Sequence, residues 1–141
     1  MSLRRWTALG LIGAAVSAGA AYALVGTTVK VTLKEFSVAA SPKTAKRGNI
    51  KFAVHNAGKL AHSFVVVRTK LAPGKLQVKG NRVNLTKLNV IGKIGSIKPG
   101  KSSSLSAKLA AGKYVLFCNL PGHYKAGQYK GFRAVSTLPV K

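Results

Sequence analysis

The residues best suited to carry chemistry lie in one segment near the C-terminus, F-C-N-L-P-G-H-Y-K-A-G-Q, at positions 117–128. It contains Cys118, the only cysteine of the chain, with His123 five residues later and Gln128 five residues after that. Thiolate sulfur and imidazole nitrogen are both ligands for transition metals. The Pro-Gly pair between them favours a tight bend, because proline fixes φ and glycine adopts positive φ easily. The spacing therefore lets the cysteine and the histidine reach one metal ion.

A second histidine is predicted to join them. His62 directly precedes the apolar run Ser63–Val67, and Cys118 directly follows the run Tyr114–Phe117. If these two runs are antiparallel strands, His62, Cys118 and His123 meet at the same end of the sheet. Two imidazoles and one thiolate form a trigonal set, which with a weak axial ligand is the blue-copper electron-transfer site. Such a set suits both Cu(I) and Cu(II).

The charge balance excludes several other chemistries. The 141 residues include 24 Lys and Arg but a single acidic residue, Glu35, and the formal net charge is +23. Catalysis by paired carboxylates and an oxygen-rich calcium or magnesium site both need more acids than this. A Ser-His-Asp triad would have only Glu35 in place of its aspartate. Metal chemistry based on imidazole and thiolate is not excluded.

The elements that would position these residues are predicted to be β-strands. No helical period is sustained after residue 27, and short alternating or continuous apolar runs are separated by turn residues. The predicted strands are centred on Val29–Leu33, Ile50–Val54, Ser63–Val67, Leu88–Ile97, Ser103–Leu109, Tyr114–Phe117 and Phe132–Val140. Gln128 is expected to open the last strand, and the Lys-rich stretch Thr69–Lys87 to be an insertion or long loop. The pattern predicts an all-β sandwich.

The N-terminus is typical of an export signal. Arg4 and Arg5 precede the apolar stretch 6–23, whose last residues, Ala-Tyr-Ala, fit a cleavage site. The alternative is an uncleaved membrane anchor, since about 20 apolar residues span a bilayer. Residues 1–23 are therefore predicted to be a signal peptide or anchor, and residues 24–141 one exported, periplasmic or otherwise extracytoplasmic domain. Loss of the two arginines would lower the charge from +23 to +21.

These segments resemble the cupredoxins, particularly the rusticyanin-like and small bacterial types. The run C-N-L-P-G-H-Y-K-A-G-Q-Y resembles their ligand loop, and H-N-A-G-K-L-A-H-S-F-V-V-V resembles the strand that carries their first histidine ligand. The segment K-P-G-K-S-S-S-L-S-A-K-L-A-A-G-K-Y-V-L-F-C resembles their approach to the cysteine. The resemblance covers about residues 30–140, with 69–87 poorly matched. It implies a Greek-key β-sandwich that binds one type 1 copper per chain.

Carried over by position, the resemblance implies that His62, Cys118 and His123 are the equatorial ligands. Gln128 stands where the family often has an axial methionine, and stellacyanin-like members use a glutamine there. Ser63 and Asn119 would then orient the ligands, and His123 would be the electron port. The expected apolar rim around His123 consists of Leu120, Pro121 and Tyr124. His55 is predicted to lie on the surface.

The leading hypothesis is therefore a monomeric, non-enzymatic one-electron carrier whose redox partners are proteins, acidic ones if the charge guides docking. One alternative is a copper carrier or sensor without redox turnover. Another is a polybasic module for a membrane or other anionic surface, which +21 would favour. No nucleic-acid motif is present, and nucleic acid is not expected as a partner. A further alternative is an enzyme with a Cys-His nucleophile, but copper binding explains the residues of the loop better.

Overall fold

The computed structural model of the protein describes residues 26–140, which contain eleven β-strands and two single-turn 3-10 helices. The strands are β1 (Thr27–Lys34), β2 (Ser37–Ser41), β3 (Thr44–Lys46), β4 (Gly48–Asn56), β5 (His62–Arg68), β6 (Val78–Lys79), β7 (Arg82–Val83), β8 (Asn89–Ile97), β9 (Ser102–Leu109), β10 (Gly112–Phe117) and β11 (Tyr129–Val135). The 3-10 helices are Pro73–Lys75 and Leu85–Lys87. Neither these nor any other helix between residues 26 and 140 could cross a membrane. The predicted signal peptide or anchor, residues 1–23, lies outside the described residues and stays a prediction.

Two sheets pack face to face to form the sandwich. One has the strand order β2-β1-β4-β9 and the other β3-β11-β10-β5-β8, while β6 and β7 form a separate hairpin. Pairs β1–β4 and β3–β11 are parallel, and the other pairs are antiparallel. Strands that are neighbours in a sheet are often distant in sequence, as in a Greek key. The predicted all-β, Greek-key sandwich is confirmed.

The main core lies between the sheets and follows the predicted alternation. The apolar residues buried from β1 and β4 are Val29, Val31, Leu33, Ile50, Phe52 and Val54. Side chains alternate across a strand, so each of these points into the sandwich while its neighbours face outward. The Phe52 ring centroid lies 5.6 Å from that of Phe64 and 5.5 Å from that of Phe132, both on the opposite sheet. These three rings join the two sheets at the centre.

A second, smaller core covers the outer face of the other sheet. The stretch Thr69–Lys87, predicted to be an insertion or long loop, contains both 3-10 helices and the β6–β7 hairpin. Its residues Leu76 and Val83 are 5% and 3% exposed. They join a buried cluster with Val65, Val67, Val115, Phe117 and Tyr124. Burying each of the two stabilises the fold by about 1.5–3 kcal/mol, and β5 is consequently buried on both faces.

The structure corrects the strand assignment at two places. Strands β2 and β3 were not predicted, because β2 is rich in small residues and β3 has only three residues. The last strand was predicted to run to Val140, but it ends at Val135, where its pairing with β3 ends. Beyond that point Leu138 and Val140 are 52% and 99% exposed. These apolar residues are therefore not buried in the sheet, although the sequence pattern had placed them in its last strand.

Candidate metal centre

The pairing of β5 with β10 brings the first two candidate ligands together. The two strands are antiparallel, which is the condition under which the candidate ligands were expected to meet, and Phe117 lies opposite Val65. His62 is the first residue of β5, and Cys118 directly follows the end of β10. Both side chains therefore lie at the same end of the sandwich, and both are fully buried at 0% exposure.

The loop between β10 and β11 returns His123 to this end. Gly122 has φ of 81°, which glycine adopts without strain, as expected of the predicted Pro-Gly bend. Backbone bonds from Ala126 N–H to the Gly122 carbonyl (3.0 Å) and from Gln128 N–H to the His123 carbonyl (3.2 Å) compact the loop. The Cys118 N–H donates to the Gln128 carbonyl at 3.2 Å and closes its base. The loop is thus held in one shape by its own backbone.

Three of the predicted ligands converge. The donor atoms of His62, Cys118 and His123 all lie within 4.8 Å of one another. Nδ1 of His62 is 3.2 Å from Nδ1 of His123, which is itself 3.4 Å from Sγ of Cys118. One ion can therefore contact all three atoms. His55 lies elsewhere, exposed as predicted, with Nδ1 2.8 Å from Oγ of Ser102.

The Cys118 sulfur is held by its neighbours across the site. The backbone N–H of Ser63 donates to Sγ at 3.2 Å, and the Ser63 hydroxyl donates at 3.5 Å. That hydroxyl also accepts from the Asn119 N–H at 2.8 Å. The Asn119 amide in turn accepts from Val83 N–H (2.8 Å) and donates to the Val83 carbonyl (3.2 Å). The residues after the two ligands thereby connect the sulfur to the second core.

Gln128, the predicted fourth ligand, is fully buried rather than a solvated residue at the start of a strand. Its Nε2 donates to the carbonyl of Lys34 at 2.8 Å and faces the carbonyl of Ser37 at 3.4 Å. Its Oε1 is buried and has no hydrogen-bond partner in the described part of the chain. An unsatisfied buried oxygen costs about 1–3 kcal/mol, and a bound ion can satisfy such an atom in place of a hydrogen bond. The amide oxygen is thus available as a donor, although its ligation stays a prediction.

His123 is the one half-buried member of the three. Burial lowers the pKa of its imidazole, and the nearby His62 lowers that pKa further, while Gln128 and Glu35 raise it. Metal ions bind the neutral imidazole, so the lowered pKa favours metal binding. The ring of Phe36 packs edge-on against His123, with centroids 5.0 Å apart, and is 39% exposed.

Tyr124 does not belong to the exposed apolar rim that was expected around His123. Tyr124 is 3% exposed and belongs to the second core, where its hydroxyl donates to the Pro73 carbonyl at 2.6 Å. The same hydroxyl accepts from the Leu76 N–H at 3.0 Å. Tyr124 therefore anchors the Thr69–Lys87 segment to the ligand loop, and Phe36 is the aromatic residue on the exposed side of His123.

Sequence reasoning also missed Glu35. Its Oε1 lies 2.8 Å from Nε2 of His62, the ring nitrogen that is not grouped with the other donors. The only available signal was that Glu35 is the sole acidic residue of the chain. The donor set is therefore two imidazole nitrogens, one sulfur and a free amide oxygen, with a carboxylate behind one imidazole. That set fits copper in either oxidation state.

The sequence matches no protein-family model and no curated protein. The structure is similar to reduced auracyanin from Roseiflexus castenholzii, with a TM-score of 0.58, 20% identity, and coverage of 78% of this chain and 98% of that chain. Rusticyanin from Thiobacillus ferrooxidans gives a TM-score of 0.57 and 19% identity over 78% and 79% of the two chains. Auracyanin A, a "blue" copper protein from Chloroflexus aurantiacus, gives a TM-score of 0.54 and 16% identity over 78% of this chain and 99% of that chain.

The chain has the cupredoxin fold. In this cupredoxin fold the three converging donors lie at one end of the sandwich, on β5 and on the loop that joins β10 to β11. Identities of 16–20% across nearly the whole domain explain why the likeness is visible in the structure while no family model matches the sequence.

Proposed function

We propose that this protein is a one-electron carrier that holds a single type 1 copper through His62, Cys118 and His123, with Oε1 of Gln128 as a weak axial donor. The observation that carries the proposal is the convergence of the donor atoms of His62, Cys118 and His123 within 4.8 Å, together with a buried amide oxygen of Gln128 that has no hydrogen-bond partner among residues 26–140. When bound, the copper supplies a Cu(II)/Cu(I) couple. The similarity to a "blue" copper protein supports the same function.

The chain's own residues would keep the site in one geometry. Ser63 and Asn119 hold the sulfur, and the loop backbone fixes the position of His123. Gln128 is fixed by the carbonyls of Lys34 and Ser37. A donor set that cannot rearrange lowers the reorganisation that accompanies electron transfer. The protein would thus favour fast electron exchange. It would not favour the binding and release of a substrate at the metal, which an enzyme requires.

Electrons would enter and leave at His123. His62 and Cys118 are fully buried, whereas His123 is half-buried. Exchange between proteins needs a short path from donor to acceptor, so the partner would dock on this side of the molecule. Phe36 lies there, and its exposed ring offers an apolar contact beside the histidine.

The test is addition of Cu(II) to the metal-free protein, followed by visible spectroscopy and metal analysis. We expect one copper per chain and an intense blue or green thiolate-to-copper band, which a reductant bleaches and an oxidant restores. Stoichiometric copper binding without that band, or a band that does not respond to reductant and oxidant, would favour a copper carrier or copper sensor without redox turnover. Absence of copper binding would favour the polybasic module, which explains the charge but not the convergence of the donors.

We also propose that the redox partner presents an acidic surface, since the domain without residues 1–23 would carry +23 less two, or +21. Electron exchange with that partner should slow as salt rises, because the Debye length falls from about 10 Å at 0.1 M to about 3 Å at 1 M. Stopped-flow rates across this range would measure the effect, with an uncharged mediator as the control. A rate that is flat or rises with salt would contradict the acidic partner.

A further inference from the structure

The carboxylate of Glu35 lies within hydrogen-bond distance of three groups at once. Its Oε1 lies 2.8 Å from Nε2 of His62 and accepts from the N–H groups of Leu60 (2.8 Å) and Lys59 (2.9 Å). Its Oε2 also accepts from the Lys59 N–H, at 3.1 Å. The Glu35 side chain is 26% exposed, while His62 is fully buried. The single acidic side chain among 24 basic ones therefore contacts a candidate metal ligand.

The contact determines which nitrogen of His62 carries hydrogen. The N–H groups of Leu60 and Lys59, and then His62, lower the pKa of Glu35 to about 2 against an opposing effect of burial. Both oxygens of Glu35 already accept from backbone N–H groups of the turn, so the side chain faces His62 as a hydrogen-bond acceptor. In the neutral form of the ring, which is the form that binds a metal, Nε2 of His62 is then the nitrogen that carries hydrogen and donates to Glu35. Its Nδ1, which faces Nδ1 of His123 at 3.2 Å, keeps its lone pair for a metal.

We propose, on the basis of the copper site proposed above, that Glu35 is a positioning residue for His62. It fixes the tautomer with hydrogen on Nε2, sets the orientation of the ring, and places the one negative side chain of the protein next to the metal. Partners of this kind orient metal-binding histidines and raise their basicity as ligands. The negative charge would also stabilise Cu(II) relative to Cu(I).

The turn before β5 is shaped around this carboxylate. Asn56 is fully buried, its Oδ1 accepts from the Gly58 N–H at 2.9 Å, and its Nδ2 donates to the Leu60 carbonyl at 2.8 Å. A Cβ atom built on Gly58 would collide with the carboxylate of Glu35. Gly58 does not have a positive φ, so the absence of a side chain there matters for space rather than for backbone conformation. The Glu35 carboxylate can therefore keep this position only if residue 58 is glycine.

The competing interpretation is that Glu35 only caps the turn at Lys59 and Leu60. NMR on the metal-free protein with 15N-labelled histidine separates the two, because imidazole nitrogen shifts and long-range couplings report the tautomer. We expect His62 to carry hydrogen on Nε2 in the wild type and in Glu35→Gln, whose amide oxygen still accepts. In Glu35→Ala the ring should lose this preference. A folded Glu35→Ala protein with an unchanged His62 tautomer would overturn the proposal.

Copper binding gives an independent measurement. Glu35→Ala should lower copper affinity about 10- to 100-fold, the typical loss when such a partner is removed. Glu35→Gln should keep most of the affinity but shift the Cu(II)/Cu(I) ratio about tenfold toward Cu(I), equivalent to about +59 mV for a one-electron couple. A turn-capping role alone would lower the free energy of unfolding and leave the potential of the folded protein unchanged.

Gly58→Ala tests the same contact without altering the carboxylate. It should displace Glu35 and reproduce the Glu35→Ala loss of affinity, and the double variant should lose no more than either single one, as for residues that act through one interaction. Gly95→Ala is the matched control, since a Cβ there meets no atom of the described residues within 4 Å. Additive losses in the double variant, or equal losses in Gly95→Ala, would contradict the proposal.

The two proposals fail differently. If the wild type binds no copper, the electron-carrier function is wrong, and the NMR comparison still decides whether Glu35 orients His62. If the wild type binds copper normally but Glu35→Gln, Glu35→Ala and Gly58→Ala change neither tautomer, affinity nor potential, only the role of Glu35 is wrong. If Glu35→Ala does not fold, Glu35→Gln and Gly58→Ala decide the question by the same readouts.

Discussion

Cys118→Ser should abolish the intense visible band of the copper-loaded protein while leaving the β-sandwich folded. The band requires charge transfer from a thiolate sulfur, and a serine hydroxyl is neither anionic at neutral pH nor soft enough to replace it. Cys118 is fully buried, and serine is nearly the same size. The Ser63 N–H, now 3.2 Å from sulfur, would keep an oxygen acceptor. We therefore expect the metal-free variant to lose only about 1 kcal/mol of stability.

Visible absorption after copper addition and circular dichroism of the metal-free variant measure the two parts of this prediction. His55→Ala is the matched control, because His55 is exposed and its only side-chain bond among the described residues is to Ser102. It should leave the colour unchanged. An intense band that survives in Cys118→Ser would contradict the assignment of copper to this sulfur.

Gln128→Met should raise the reduction potential and shift the spectrum toward a bluer, more trigonal type. An amide oxygen is a harder donor than a thioether sulfur and favours Cu(II) over Cu(I) more. Each tenfold change in the equilibrium corresponds to about 59 mV for one electron. We expect the swap to supply roughly one to three such steps. The oxygen that it removes is buried, has no hydrogen-bond partner within residues 26–140, and belongs to an amide whose nitrogen is held by the Lys34 carbonyl.

Potentiometry on the two proteins at one pH and one salt concentration measures the shift. Methionine cannot donate to the carbonyl of Lys34, so the variant should also lose stability, by about 1–3 kcal/mol. Gln77→Met is the matched control, since Gln77 is exposed and should change neither quantity. Equal potentials for wild type and Gln128→Met would show that the amide oxygen does not act on the copper.

The strands that determine the position of the site could be predicted because their signals are local. Alternation in β1 and β4, and the continuous apolar run of β5, follow from which faces are buried. Strand β2 could not be predicted in this way, since its small residues become a strand by pairing with β1. Strand β3 likewise exists through its parallel pairing with the end of β11. Edge strands of this kind are defined by their partners more than by their own sequence.

The sequence by itself determined the donor types, their order along the chain and their common end of the sheet. One cysteine and two histidines placed at the ends of two apolar runs needed only an antiparallel pairing to converge, and β5 and β10 supply it. The segment Thr69–Lys87 is different, because its few apolar residues are spaced irregularly and predict no strand or buried face. Their burial follows only from the fold, in which Leu76 and Val83 cover the outer face of the sheet.

Only the tertiary structure decided how the donors are supported. Glu35 lies 27 residues before the histidine that it contacts, and Gln128 lies 94 residues after the carbonyl that holds its amide. Contacts over such separations leave no periodic or local trace, because they arise from the packing of strands rather than from the conformation of a segment. Composition showed that Glu35 is the only acidic residue. The fold placed it against His62, and burial left Oε1 of Gln128 without a hydrogen-bond partner among the described residues.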